Sequence, residues 1–241
     1  MHDRWPGWAR PQLLAAVELA AAPATGSGRT LAAELYDRWF SGAVAAEPTP
    51  TGSLAGAYRE AHSARTVIQV DGVDVLDRHD RIGADGWWRT WNTLWQPRHS
   101  DARVLLSPRA DNVTDVVALL TERLRFVPYV LACPTVPMHL ARSGAVVLHL
   151  SRLSALTPEL VVELDGLVRP DTPPLCLPVR PGIAVAQYPD NGMTFGEHRC
   201  HLLALALAAA PESAGTASSS LDVIAEVFAA HGVDPSTPYR N

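Results

Sequence analysis

The spacing of apolar positions predicts helices at both ends of the chain and a mixture of strands and helices between them. Helices are predicted over 11–22 and 30–40. Pro11 suits the first turn of the first helix, because an amide hydrogen at that position would have no helical partner. The stretch 41–65 is rich in Ala, Pro, Gly and Thr, and we expect it to be a loop.

A β-hairpin and a tryptophan-rich segment follow. Thr66–Val70 and Val73–Leu76 flank Asp71-Gly72, a pair typical of two-residue primed turns. Four of the seven tryptophans lie within 85–99, namely Trp87, Trp88, Trp91 and Trp95. Their separations of three and four residues favour one face of a helix. Such a face would be either a buried aromatic seam or a platform that binds a peptide.

The second half alternates more regularly. It predicts strands over 102–107, 128–133, 144–150 and 182–187, and helices over 112–125, 158–168, 196–210 and 221–231, with a helical turn at 137–142 and a linker at 213–220. We therefore expect an α+β fold, with a mixed β-sheet flanked by helices. We expect an N-terminal helical segment and loop over 1–65 and an α+β domain over 66–241, which together form one structural unit.

Composition excludes several classes of function. All 20 basic residues are arginine, so no lysine can serve as a base, a Schiff base or the phosphate clamp of a P-loop. The net charge of −5 without a basic block argues against a nucleic-acid partner. The longest apolar run, 202–210, is too short to span a membrane. We expect no signal peptide, a cytoplasmic location and reduced thiols at the three cysteines.

The segment from Pro181 to Cys200 carries the most chemistry. Thr194 and Glu197 have the spacing of a capping box, which predicts the start of a helix. Free amides at that start, together with Arg199, would favour a phosphate or carboxylate, and His198 could transfer a proton near neutral pH. An ordinary capped helix explains the same residues. His198 and His201 lack a second cluster with the spacing of zinc ligands, so we expect no metal site and no cofactor.

The same segment, PGIAVAQYPDNGMTFGEHRCHLLALAL, resembles the C-terminal signature of the HopA-type effector family. That family includes type III secreted effectors of plant pathogens, and also lyase-like proteins of ribosomal peptide biosynthesis, as in class V lanthipeptides and thioamitides. Further similarity to the family lies in the strand that begins at Arg103, the helix 112–125, the residues Val127–Tyr129 that lead into a strand, and the strand Arg142–Leu150.

The resemblance implies a reaction and roles for several residues. Lyases of this kind are thought to eliminate phosphate from phosphoserine or phosphothreonine, leaving a dehydroamino acid. Such an elimination needs a base for the α-proton and cations for the leaving phosphate. By resemblance, Arg199, Arg103 and Arg142 would bind the phosphate. His198 would be an acid or a phosphate contact.

The polar pocket departs from the family pattern. The lysine that the pattern places in the strand after Val127–Tyr129, a natural base, corresponds to Ala132 here. Either His149, His198 or Tyr129 has replaced it as the base, or this chain has lost the chemistry.

Three functions remain open from the sequence. The first is a lyase that acts on a precursor peptide after a separate kinase-like phosphotransferase, since this chain has no ATP-binding signature. The second is a subunit without catalytic activity that binds the precursor peptide and stabilises the kinase-like partner. The third is an effector that disturbs host signalling.

Overall fold

The structure, a computed structural model, describes most of the chain. The described residues are 4–22, 30–42, 54–63, 67–70, 73–76, 78–95, 102–189, 191–210 and 217–240. They fall into two compact units, each built from more than one stretch of the chain. Unit 1 takes its residues from 1–42, 173–177 and 186–241, and unit 2 from 43–172 and 178–185.

The elements confirm the α+β class that the sequence predicts. In chain order they are α1 (Ala9–Ala21), α2 (Leu31–Leu35), a π-helical turn (Tyr36–Phe40), α3 (Leu54–Ser63), β1 (Val67–Val70), β2 (Val73–Leu76), β3 (Arg78–Ile82), β4 (Trp87–Asn92), β5 (Ala102–Leu106), α4 (Val113–Arg123), β6 (Tyr129–Pro134), a 3-10 turn (Pro137–Ala141), β7 (Val146–Leu150), a second 3-10 turn (Leu153–Ala155), α5 (Pro158–Asp165), β8 (Leu177–Arg180), β9 (Ile183–Ala186), α6 (Phe195–Ala209) and α7 (Ala217–Ala230).

The strands form two sheets. Strands β1 and β2 pair antiparallel, as the hairpin prediction requires, although its turn residues lie outside the described part of the chain. The larger sheet has the order β3-β4-β6-β7-β5-β9-β8. Its pairings from β3 through β5 are antiparallel. This order brings β5 beside β7 and β6 beside β4, so residues far apart in sequence share one surface.

One face of the larger sheet packs on the helices of unit 2. Side chains alternate between buried and partly exposed along β4 and β7 because successive residues of a strand point to opposite faces. The buried face and the apolar positions of α3, α4 and α5 form one core. Trp88 and Tyr58 lie at one end of this core, with ring centroids 5.3 Å apart. The opposite face of β4, β6, β7 and β5 is called the open face below.

Unit 1 is helical, and side-chain hydrogen bonds connect its separate stretches. Trp39 donates its indole N–H to the carbonyl oxygen of Gln12 at 2.9 Å, and the side-chain oxygen of Gln12 accepts the amide of Leu175 at 2.8 Å. The expected capping box begins α6. Thr194 Oγ1 accepts the Glu197 amide at 3.2 Å, and Glu197 Oε2 accepts the Thr194 amide at 2.7 Å.

Three predictions of secondary structure were wrong. The tryptophan-rich segment forms the strand β4, not a helix, and β3 pairs with it although no strand was predicted there. Helix α3 occupies part of the stretch expected to be a loop. Helix α7 begins at Ala217, inside the expected linker. Besides these three, strand β8 lies where no strand was predicted.

Candidate functional site

A row of side chains crosses the open face from β5 to β4. Arg103 in β5 lies opposite His149 in β7, His149 lies opposite Val130 in β6, and Val130 lies opposite Trp91 in β4. Directly opposed residues of antiparallel strands have Cβ atoms about 5 Å apart, so each side chain in the row can contact the next. The register therefore brings Arg103 and His149 together, although 46 positions separate them in sequence.

The neighbouring row adds a second arginine. Arg89 in β4 lies opposite Ala132 in β6, and Ala132 lies opposite Val147 in β7. The Arg89 guanidinium makes two hydrogen bonds to the carboxylate of Asp85. Ala132, which by resemblance corresponds to the family's lysine, lies on the open face, diagonally across from His149.

Burial and nearby positive charges keep His149 neutral. Burial lowers the pKa of His149 to about 3, with further contributions from the positive charges of Arg103 and Arg89. The indole of Trp95 approaches the imidazole edge-on, with centroids 6.5 Å apart. At neutral pH the imidazole therefore has a lone pair that can accept a proton, and Arg103 lies directly opposite it in the sheet.

The tryptophans divide between the two faces of β4. Trp87 and Trp91 lie on the open face, partly exposed, and Trp91 stacks on His79 with centroids 5.7 Å apart. Trp88 lies on the opposite face, fully buried, and donates its indole N–H to Asp80 Oδ2 at 2.9 Å. Trp88 therefore belongs to the core. Trp87, Trp91 and Trp95 remain candidates for contact with a peptide.

Tyr129 lies on the core face. It is 2% exposed and packs with the apolar residues between the sheet and the helices. Its neighbour Val130 is on the open face because adjacent strand residues point to opposite sides. The structure therefore does not bring Tyr129 to the row that holds His149 and Arg103.

Arg142 lies at the other end of the same strands. It follows the 3-10 turn that leads into β7, whose first residue, Val146, pairs with Leu106. Arg103 and His149 pair at the opposite end of β5 and β7. Arg142 donates its backbone amide to the His139 carbonyl at 3.3 Å, and its charge adds to burial in lowering the pKa of that imidazole. Arg142 is thus not part of the row.

Arg199 and His198 lie inside unit 1. The Arg199 guanidinium is fully buried, donating from Nε to the Pro238 carbonyl at 2.8 Å and from Nη2 to the Arg240 carbonyl at 2.6 Å. Its Nη1 lies 2.6 Å from His198 Nδ1, and its guanidinium carbon lies 4.6 Å from the centre of the Phe195 ring. These contacts join α6 to the C-terminal segment. The phosphate contact expected of Arg199 stays a prediction and would require these bonds to open.

Burial perturbs both groups of this pair. Burial lowers the pKa of Arg199 to about 10, which leaves it charged at neutral pH. Burial, followed by the charge of Arg199, lowers the pKa of His198 to about 4. A neutral His198 beside a charged Arg199 can accept a hydrogen bond through Nδ1.

Within the described residues, no group of three or more His, Cys, Asp or Glu could hold a metal ion. None of the described helices has the length and apolarity to cross a membrane.

Sequence reasoning missed Arg89 as a site residue. The pattern Trp87, Arg89, Trp91 is an alternation of period two, which would have placed the three side chains on one face of a strand. The competing helical spacing of the tryptophans hid that signal.

Comparison with known proteins agrees with this fold. The sequence pattern of the HopA1 effector protein family matches residues 92–240, more than half of the chain. The solved effector protein from Pseudomonas syringae pv. tomato strain DC3000 superposes with a TM-score of 0.65 at 12% identity, covering 96% of this chain and 98% of that one. The effector protein from Pseudomonas syringae pv. syringae strain 61 gives a TM-score of 0.63 at 13% identity, with the same coverage. None of the curated proteins matches in sequence. This chain belongs to the HopA1 effector protein family.

Proposed function

We propose that this protein is a phosphoserine/phosphothreonine lyase that acts on a ribosomally made precursor peptide, of the lanthipeptide or thioamitide type, after a separate kinase-like phosphotransferase. The observation that carries the proposal is that Arg103 lies opposite His149 on the open face, with Arg89 in the neighbouring row. The position of the family's lysine, Ala132, lies on the same face beside them.

The arginines suit a phosphate monoester. A guanidinium can donate two hydrogen bonds to one phosphate, and charge-assisted bonds of this kind are about twice as strong as neutral ones. Trp91 lies on the same face and Trp95 lies next to His149, so both offer apolar surface to a bound peptide. The open face therefore combines groups that can recognise an anion with partly exposed aromatic side chains.

The elimination can be written with the residues of this face. The His149 imidazole takes the α-proton, the released electron pair forms the double bond between Cα and Cβ, and the bond from Cβ to the phosphate oxygen breaks. Arg103 and Arg89 hold the departing phosphate, which then receives the proton from His149. Bound dianionic phosphate offsets the two positive charges beside the imidazole, so it raises the pKa of His149 and makes it a stronger base.

Mass spectrometry of a phosphothreonine peptide tests the proposal. The wild type should release phosphate and leave a product lighter by one phosphoric acid. We expect Arg103→Ala and His149→Asn to abolish this loss. Arg123→Ala, which removes an exposed arginine of α4 that pairs with Glu163 of α5, should retain it. Loss at equal rates in all four proteins would contradict the assignment of the site.

One observation favours the second function, a binding subunit. Ala132 gives the open face no side chain that could act as the missing lysine, and burial makes His149 a weak base before phosphate binds. In that case the wild type would bind the phosphopeptide without turnover and would stabilise its kinase-like partner. Ala132→Lys, which places an amine beside His149, should then gain elimination, whereas Ala229→Lys at an exposed position of α7 should not.

The third function, an effector that disturbs host signalling, is compatible with the family and with the solved relatives, whose names call them effector proteins. A chain that neither binds phosphothreonine peptides nor converts them would favour it.

A further inference from the structure

Unit 1 contains a cavity of about 440 Å³ beside α2, the π-helical turn and the start of α6. Ala33, Tyr36 and Met193 contribute apolar surface to its lining. Two acidic residues, Asp37 and Glu197, line the same cavity together with the imidazole of His201. Apolar walls and carboxylates thus meet in one space within a single unit.

Packing fixes the aromatic side of the cavity. The ring of Tyr36 stacks on Phe40, with centroids 5.7 Å apart and planes inclined by 19°. Phe40 in turn contacts Phe195, with centroids 6.1 Å apart. Gly196 lies directly against the Phe40 ring, where any Cβ would overlap it. Because glycine leaves room for Phe40, Tyr36 has a rigid support and its side of the cavity is preformed.

Hydrogen bonds fix one of the carboxylates. Glu197 Oε2 accepts the Thr194 amide as part of the capping box, so the side chain cannot swing freely away from the cavity. The bond to a neutral amide leaves the negative charge of Glu197 in place. Asp37 brings a second negative charge from the π-helical turn, a type of local structure that is frequent at functional sites.

We propose that this cavity binds a basic side chain, lysine or arginine, of a peptide ligand. Such a side chain has an apolar stem that fits the walls and a cationic end that fits the two carboxylates. The face of the Tyr36 ring offers a further attraction to a cation. A phosphate would meet like charges here. The inference takes from the proposed function only that the ligand is a peptide, and it needs no elimination.

An unphosphorylated probe separates this site from the open face. The probe is a blocked pentapeptide, Ala-Leu-Lys-Leu-Ala, and its counterpart has norleucine, which keeps the stem but lacks the charge. In an NMR titration of the whole protein, the lysine peptide should shift the amide resonances of Gly192 and Glu197. The norleucine peptide should bind at least fivefold more weakly. Because neither peptide carries phosphate, a failure here leaves the elimination test untouched.

Two charge-removing variants sharpen the test. Glu197→Gln removes the charge but retains an acceptor for the Thr194 amide. Asp37→Asn removes the charge of the carboxylate on the π-helical turn. Each should weaken binding of the lysine peptide at least fivefold, while Glu226→Gln, an exposed position on α7, should leave it unchanged.

Three outcomes would overturn the inference. The first is equal binding of the lysine and norleucine peptides, and the second is no shift at the cavity with about 5 mM lysine peptide. The third is binding of putrescine at least tenfold tighter than the peptide. The last would assign the cavity to a free amine instead.

Discussion

The two faces of the larger sheet contain the same kinds of residue in different settings. On the core face, Trp88 and Tyr129 are buried among apolar neighbours. On the open face, Trp91 and His149 lie in a row with Arg103. Residues adjacent in sequence therefore have unlike roles, since side chains alternate across a strand.

This difference shows how a motif should be interpreted. Tyr129 and His149 are equal candidates for the base when only the sequence is considered, and the sheet separates them. By resemblance to the family, Arg103 and Arg199 are both expected to bind phosphate. Arg103 lies on the open face, whereas Arg199 is fully buried and bonded to carbonyl oxygens. A match to a family pattern identifies a residue, and its setting decides whether it is available to a ligand.

The largest expected effect compares the two faces of β4. Trp88→Ala should lower the free energy of unfolding by about 4 kcal/mol, because it opens a cavity in a packed core. Trp91→Ala should lower it by less than about 1 kcal/mol, since Trp91 is partly exposed. Urea denaturation of both variants measures the two values. Equal losses would mean that the faces do not differ as described.

The next effect concerns the affinity for phosphate. Arg103→Ala should weaken binding of a phosphothreonine peptide by about tenfold to a hundredfold, the value of a charge-assisted hydrogen bond. Tyr129→Phe, on the core face, should bind the peptide as the wild type does. Calorimetric titration gives both constants, and a weaker affinity in the Tyr129 variant would contradict the separation of the faces.

The pH dependence of stability tests the setting of His149. Its folded pKa lies below the usual value of 6.5, so the unfolded chain binds more protons as the pH falls from 6.5 toward 3. Stability should therefore decrease over that window, by about 1 kcal/mol per pH unit from this group. His198 acts in the same direction. The measurement is thus the difference in the slope of unfolding free energy against pH between the wild type and His149→Asn. Identical slopes would contradict the lowered pKa of His149.

The smallest effect separates the two arginines of the open face. Asp85 already pairs with Arg89, so the charge of Arg89 is partly neutralised before phosphate arrives. Arg89→Ala should weaken binding of the phosphothreonine peptide only about threefold, less than 1 kcal/mol. A loss as large as that of Arg103→Ala would show that the two arginines contribute equally.

Local signals predicted much of the fold. The capping box at Thr194 correctly marked the start of α6, because its two bonds form between near neighbours. The tryptophans were ambiguous, since a separation of four residues satisfies both a helix and a strand. Helix α3 was missed because the surrounding composition suggested a loop, although Leu54 and Tyr58 have helical spacing and are both buried.

The site was harder to predict than the elements. Arg103 and His149 were both candidates, and nothing local indicates that they are opposed, because strand pairing depends on the whole sheet. Burial of Arg199 depends in the same way on the C-terminal segment, about 40 residues further along the chain. Sequence patterns therefore identified chemical groups, and tertiary packing determined which of them can meet a ligand.

The most direct test follows the imidazole resonances of His149 by NMR while a phosphothreonine peptide is added. His149→Asn assigns the signal. We predict that the His149 resonances shift and that its pKa rises in the complex, because the bound phosphate offsets the charges of Arg103 and Arg89. Shifts confined to His198 and His201 of unit 1, with His149 unchanged, would contradict the assignment of the phosphate site to the open face.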